Sequence, residues 1–279
     1  MHSDEQRTRA KLLRDLHRGP KILVLPNAWD CVSARLFEKA GFPVIATTSG
    51  GIAATLGYPD GQHISSREML LMVGRIAETV SAPVTADLEA GYGVAAKEVA
   101  ETIRGAIASG VAGANIEDGH GPNKPLSEIS AQIEVIKAIR DVAAACDTPF
   151  VLNARVDVFL RGTGNLEYTL NEAIERAIAY RDAGADCVFP IGLNDGETIA
   201  RFVREVGCPV NIMAGHGAPA ISELEKIGVR RVSFGTGTMR AILPFIQKLA
   251  KDLGTSGQSD LLEQQEFSHA TVNELFRRR

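Results

Sequence analysis

Two hydrophobic periods alternate along the chain. Eight short β-rich runs recur: ILVL (22–25), PVIATT (43–48), PVTADLE (83–89), GANIED (113–118), FVLNARVD (150–157), CVFPIG (187–192), PVNIM (209–213) and RRVSFG (230–235). Most follow a helix-stop signal: AG at 40–41, SG at 109–110, AG at 183–184, VG at 206–207 and IG at 227–228. Helical patterns fill the gaps. Ser65 with Glu68 makes a capping box ahead of MLLMVGRIAETV. Ile129, Ile133, Ile136 and Ile139 space one apolar face, and Leu170, Ile174 and Ile178 space another. Strand then helix, eight times in 279 residues, predicts an α/β protein built as a (β/α)8 TIM barrel. A doubly wound open sheet is the rival arrangement.

The rhythm stops near residue 251. KDLGTSGQSD reads as a linker, and LLEQQEFSHATVNELFRRR as one terminal helix whose apolar residues need a partner surface, on this barrel or on a neighbour. The predicted organisation is a barrel domain over 1–253 and a C-terminal linker and helix over 254–279. Composition adds little to this picture: 45% hydrophobic and 23% charged is ordinary for a soluble domain. A net charge of −4 points away from nucleic acid and anionic membrane as partners. No stretch approaches 18 apolar residues, and the charged N-terminus lacks the apolar segment of a secretory signal. Cys31, Cys146, Cys187 and Cys208 lack metal-binding spacing and read as reduced thiols of a cytoplasmic protein.

Candidate chemistry gathers at the strand ends, where barrel active sites sit. Residues i and i+2 of a strand share a side. Asp87 is thereby paired with Glu89, Asn115 with Glu117, and Asn153 with Arg155 and Asp157. Asp60 lies in the long loop after the second run. The outward face packs under helices and rejects charge, so these groups are expected to face the axis near the mouth. Internal ion pairing is the alternative use for any one of them. As a set, several carboxylates with one strand-borne cation, Arg155, would repel and desolvate at large cost. A divalent cation resolves this, and an oxygen-only ligand set selects Mg2+ or Mn2+ over zinc. TTSGG (47–51) lets backbone N–H groups approach an anion, which beside a metal suggests a carboxylate clamp; a plain turn is the other reading. Arg155 could add charge-assisted bonds to a carboxylate or a developing enolate oxygen.

NAWD (27–30), TTSGG (47–51), LGYPDG (56–61), ADLEAGYG (86–93), NIEDG (115–119) and NARVD (153–157) resemble, in order, the motifs of the isocitrate lyase/phosphoenolpyruvate mutase superfamily. The resemblance spans roughly residues 20–250. It implies a (β/α)8 barrel, Mg2+, and 2-oxo or 2-hydroxy acid substrates handled through an enolate held on the cation. It also implies homo-oligomers, dimers or tetramers, that exchange a C-terminal helix. By position, Ser49, Gly50 and Gly51 match the 2-oxo acid clamp and Asp87 the principal metal carboxylate. Asp60, Glu89 and Glu117 match its partners, partly through water, and Arg155 the oxyanion-stabilising arginine. Trp29 matches an aromatic wall over the substrate, although a lone Trp is more often core. Asn211 matches a polar substrate contact. His216, in AGHGAP, is a substrate contact or a solvated loop histidine.

Two departures stand out. Glu89 replaces the more usual Asp of the metal pair. The loop GHGPNKPLS (119–127) carries His120, Asn123 and Lys124 in place of the Cys that protonates the departing fragment in isocitrate-type lyases. His120 is the candidate replacement acid, and Asn123 matches the mutase or phosphonopyruvate hydrolase pattern. The resemblance therefore implies a Mg2+-dependent carbon–carbon lyase acting on an isocitrate- or 2-methylisocitrate-like acid. The alternatives are an oxaloacetate decarboxylase, which needs no loop acid, a phosphonopyruvate hydrolase or mutase, and a non-catalytic 2-oxo acid binder. A Schiff-base aldolase is excluded, because no run carries a lysine in its C-terminal half. SFGTG (233–237) could hold a phosphate, but converging acids are hostile to one without metal.

Overall fold

The computed structural model describes residues 3–121, 124–161, 164–215, 217–263 and 266–277. Its strands are β1 (Leu23–Leu25), β2 (Asn27–Ala28), β3 (Ile45–Thr47), β4 (Val84–Asp87), β5 (Gly113–Glu117), β6 (Val151–Val156), β7 (Cys187–Pro190), β8 (Asn211–Met213) and β9 (Arg231–Ser233). The helices from the N-terminus are α1 (Ser3–Arg18), α2 (Cys31–Lys39), α3 (Ser49–Thr55), α4 (Ser66–Thr79), α5 (Ala96–Ala108), α6 (Ile129–Ala145) and α7 (Val158–Arg161). They continue as α8 (Leu166–Asp182), α9 (Gly196–Val206), α10 (Ile221–Ile227), α11 (Gly237–Arg240), α12 (Leu243–Ser256), α13 (Asp260–Glu263) and α14 (His269–Leu275).

Each of the eight β-rich runs contains a strand, and all strand pairs are parallel. The order is β1–β9–β8 in one group and β2–β3–β4–β5–β6–β7 in the other. Two seams join them. β1 passes into β2 across Pro26, which has no N–H for a ladder, and Val188 of β7 bridges Val210 just ahead of β8. The result is a TIM-barrel-like α/β fold. The main apolar core lies between the strands and the surrounding helices. The Ser65–Glu68 capping box starts α4 as expected. No helix among the described residues is long and apolar enough to cross a membrane.

α1 closes the end of the barrel opposite the acids. Ala10 and Leu13 pack with Leu23, Leu25, Val44, Ala46, Ala112 and Val151. Gln6 donates to the Val111 carbonyl and Arg7 pairs with Asp147, both in turns that lead into strands. His17 is buried there. Its Nδ1 lies 2.7 Å from the Leu13 carbonyl, and its Nε2 lies 3.4 Å from Arg231 Nη1. Those partners fit a neutral ring that donates from Nδ1 and accepts at Nε2.

The C-terminal segment differs from expectation. The predicted linker is largely helical, since α12 runs through Ser256 and stops at Gly257, whose φ is +72°. A left-handed residue there ends the helix. The single terminal helix is two short ones, because the Ser268 side chain accepts from Thr271 N–H at 3.1 Å and starts α14 afresh. α14 packs on α2 and buries Leu275. α12 buries none of its side chains, and its Phe245 is 62% exposed.

His17 makes stability pH-dependent in a defined window. Burial, followed by the neighbouring Arg231 charge, lowers its pKa to about 3. The unfolded ring takes a proton below about pH 6.5 while the folded one does not. Its contribution is therefore full above that pH and is lost as pH falls toward 3, by up to about 1.4 kcal/mol per unit. His17→Gln should flatten the fall in urea midpoint between pH 6.5 and 5. Identical slopes in both proteins would show that the ring titrates alike folded and unfolded.

Candidate active site

The strand ends bring the acids together by different local means. Asp87 is the last residue of β4, beside Ser49 at the start of α3. Ser49 N–H and Oγ–H donate to Asp87 Oδ2 at 3.0 and 2.8 Å, and Asp87 N–H donates to Thr47 Oγ1 at 3.0 Å. Asp87 Oδ1 is buried without a partner. Asp60 reaches the start of α3 because Gly50 has no side chain: a Cβ there would stand 2.8 Å from Asp60 Oδ2 and 3.1 Å from Thr236 Oγ1. Gly51 is equally constrained, by Thr48 and by Trp29, whose Cβ would lie 2.8 Å away.

Glu89 corrects the expectation from strand alternation. It lies beyond the end of β4, and its φ of +52° is left-handed. A turn therefore swings its carboxylate inward, where Tyr92 Oη donates to Oε1 at 2.9 Å. On β5 and β6, Glu117 and Arg155 are direct register partners. The Arg155 guanidinium pairs with Glu117 without hydrogen-bond alignment. It also forks onto Asp157, Nε to Oδ1 at 2.7 Å and Nη2 to Oδ2 at 2.8 Å. Internal ion pairing, the alternative weighed from the sequence, thus applies to this trio.

Asp118 overturns the rule that the outward strand face excludes charge. It is fully buried on the helix side of the sheet. Arg176 Nη1 lies 3.2 Å from Oδ2, Tyr180 Oη donates to Oδ2 at 2.8 Å, and Asp157 N–H donates to Oδ1 at 2.9 Å. Arg176 and Tyr180 stand four residues apart on α8, on one face. They anchor Asp118, which positions Asp157, which in turn orients Arg155.

The electrostatics are those of excess negative charge. Burial, then repulsion from Asp87, raises Asp60 and pushes Glu89 up to about 7. Glu117 is raised well above the carboxylate range by burial, with Arg155 opposing. Burial works against the Arg155 charge, yet Glu117 and Asp157 outweigh it and its pKa rises. One guanidinium shared by two carboxylates neutralises only one of them.

A cavity of about 480 Å³ opens here, walled by Ser49, Asp60, Glu89, Glu117 and Arg155 among others. Asp87 meets it through Ser49, which holds its carboxylate. Trp29 is half-buried beside Gly51 and does not line the cavity. Asn211 opens β8, deep in the barrel, where its Nδ2 donates to Ser233 Oγ at 3.1 Å. His120 turns elsewhere: its Nε2 lies 2.8 Å from Ser127 Oγ, and it lines a separate pocket of about 210 Å³. Asn123 and His216 lie outside the described residues. Sequence reasoning missed Arg161, which lines the cavity one turn beyond β6. Its only signal was a cation placed after the NARVD strand end.

The donor set fits a hard divalent cation. It offers carboxylate oxygens, with one Asp87 oxygen orphaned and the acids repelling one another. Among the described residues, no three acid, His or Cys side chains converge into a preformed cage. Mg2+ does not need one, since it keeps several waters and uses one or two carboxylates directly.

Fold and site together define a TIM-barrel-like α/β protein with an acidic, oxygen-lined cavity at the C-terminal mouth of its strands. The phosphoenolpyruvate phosphomutase family model matches residues 13–253. The chain belongs to the phosphoenolpyruvate mutase/isocitrate lyase superfamily, whose members are lyases, mutases and hydrolases. It is similar to 2-methylisocitrate lyase of Salmonella typhimurium, at 30% identity covering 98% of this chain and 94% of that protein. Among solved structures it resembles a Burkholderia cenocepacia J2315 protein provisionally assigned as a lyase/mutase, with a TM-score of 0.89, 38% identity and 98% and 97% of the two chains covered. It also resembles oxaloacetate acetylhydrolase solved with the product oxalate, with a TM-score of 0.85, 28% identity and 95% and 93% covered.

The close approach at Gly50 is testable. In Gly50→Ala the added methyl meets the end of a side chain, so Asp60 should yield while the fold persists. Thermal unfolding should stay near that of the wild type, and Mg2+ affinity by calorimetry should fall. Unchanged Mg2+ affinity would show that Asp60 takes no part in holding the ion.

Proposed function

We propose that the chain is a carbon–carbon lyase acting on an isocitrate- or 2-methylisocitrate-like acid. The observation that carries this reading is the convergence of Ser49, Asp60, Glu89, Glu117 and Arg155 on one cavity of about 480 Å³. Mg2+ or Mn2+, held by Asp87 with Asp60, Glu89 and Glu117 in part through water, would polarise the substrate oxygens and stabilise the negative charge that bond cleavage leaves. The start of α3 at Ser49, Gly50 and Gly51 receives the substrate carboxylate next to the reacting carbon. Arg155, oriented by Asp157, offers a fixed positive charge to the oxygen that becomes anionic.

Cleavage leaves a carbanion that must take a proton. His120, as placed, is engaged with Ser127 and faces another pocket. That observation favours a second reading, oxaloacetate decarboxylation, in which water protonates the product after CO2 leaves. The exposed face of α12 supports assembly of subunits through an exchanged C-terminal helix.

Product identity separates the readings. Protein stripped with EDTA and restored with Mg2+ should convert 2-methylisocitrate to pyruvate and succinate, or isocitrate to glyoxylate and succinate. The rate should be low, since lacking a positioned acid costs ~10²–10⁴-fold. Asp87→Ala should abolish both turnover and Mg2+ binding while remaining folded. If neither tricarboxylate is cleaved while oxaloacetate yields pyruvate and CO2 well above its metal-catalysed background, the decarboxylase stands. Full activity in the chelated protein would remove the cation from the reaction.

A further inference from the structure

Arg161 is the cation of the cavity that no acid has claimed. It ends α7, the single turn that follows β6. Its Nη2 donates to the Gly121 carbonyl at 3.2 Å, in the loop after β5. Its Nε is buried and has no partner. Among the described residues, no carboxylate lies within ion-pair distance of it, whereas Arg155 on the same wall is paired with two. Yet the cavity it lines holds Asp60, Glu89, Glu117 and Asp157.

The turn that carries Arg161 is held in place. Leu160 N–H donates to the Asp157 carbonyl at 3.0 Å. Phe159 and Leu160 pack over Gly192, where a Cβ would stand 3.2 and 3.4 Å from their side chains. The base of Arg161 is thereby fixed relative to Asp157 and hence to Arg155. A guanidinium without a carboxylate partner leaves its charge available to an anion that enters the cavity.

We propose that Arg161 receives a second carboxylate of the substrate and so selects 2-oxo and 2-hydroxy acids that carry two or more carboxylates. This rests on the reading of the cavity as a 2-oxo acid site. The reacting end sits by Ser49 and Arg155, and the distal carboxylate meets Arg161. A planar carboxylate matches the guanidinium edge formed by its two Nη groups, two parallel donors for two oxygens. A monoanionic carboxylate also suits a wall with four acids better than a dianionic phosphonate, which they would repel more strongly.

The test compares stable ligands by calorimetry in Mg2+. The diacids are 3,3-difluorooxaloacetate and 2-oxoglutarate, the monoacids are 2-oxobutyrate and 2-oxopentanoate, and phosphonopyruvate is the third arm. Wild-type protein should bind at least one diacid roughly 10- to 100-fold more tightly than the monoacid of the same chain length, the gain of one charge-assisted pair. Arg161→Met should erase that preference and leave monoacid affinity unchanged, and Arg161→Lys should retain part of it. Circular dichroism and thermal unfolding check that both variants fold. A preference that survives in Arg161→Met, or an equal loss for monoacids and diacids, overturns the proposal while leaving the 2-oxo acid site intact. A larger Arg161-dependent gain for phosphonopyruvate than for either diacid overturns the carboxylate assignment. If the wild type binds none of these acids, the reading of the cavity itself fails, and this inference with it.

Discussion

Like-charge repulsion at the barrel mouth is the constraint on which the rest of this structure depends. Asp60, Asp87, Glu89, Glu117 and Asp157 share one small, partly desolvated region. Two carboxylates ~5 Å apart at an effective dielectric of ~20 repel by ~3 kcal/mol. The chain answers with fixed donors rather than with flexible lysines. Ser49 supplies two to Asp87, Tyr92 one to Glu89, and Arg155 divides itself between Glu117 and Asp157. The answer is incomplete, as the raised affinities of Asp60, Glu89 and Glu117 for protons show. That remaining deficit is what a divalent cation can fill.

Holding such a site open requires stiffness from outside it. The line from α8 through Tyr180 and Arg176 to Asp118, on to Asp157 and Arg155, reaches from the helical layer to the cavity wall. Asn27 does similar work across the closing seam. Its Oδ1 accepts from Phe234 N–H and its Nδ2 donates to the Thr47 carbonyl, both at 2.7 Å, so one side chain joins the ends of β9 and β3. The aligned motifs of the sequence are therefore partly scaffolding: NAWD and NIEDG contribute residues that set the positions of others.

Much of this was legible in the sequence, for physical reasons. Eight apolar runs, most of them after a stop signal, mark a repeated strand–helix unit, which fits a barrel and leaves a doubly wound sheet as its rival, and most acids at strand ends turn toward the mouth. What escaped depended on events that periodicity does not encode. Glu89 reaches the cavity through a left-handed turn, not through alternation. α1 looked merely charged, because Ala10, Leu13 and His17 are a thin apolar stripe among basic residues, and its role as a floor needs the barrel to exist first. Asp118 broke the rule of an uncharged outer face because its partners lie roughly sixty residues away on α8. Which way His120 turns was set by Ser127, seven residues on, and no spacing rule would reveal it.

Arg231 shows how the two ends of the barrel are linked. It is fully buried on β9, with Nη2 donating to Asn115 Oδ1 at 3.0 Å and no paired carboxylate among the described residues. Asn153 Nδ2 donates to the same Asn115 oxygen at 2.8 Å. Burial lowers the Arg231 pKa to about 10, with Cys187 and Asp87 acting the other way. A group with that value still carries its charge at neutral pH. An isolated charge so deep in a protein is costly, and Asp87 is the acid of the mouth that offsets part of that cost. The Arg231 charge adds to burial, the larger cause, in keeping the neighbouring His17 neutral. The neutral ring of α1 sits against the buried arginine of β9, whose charge Asp87 at the mouth helps to hold, so the floor of this barrel is part of the environment of its site.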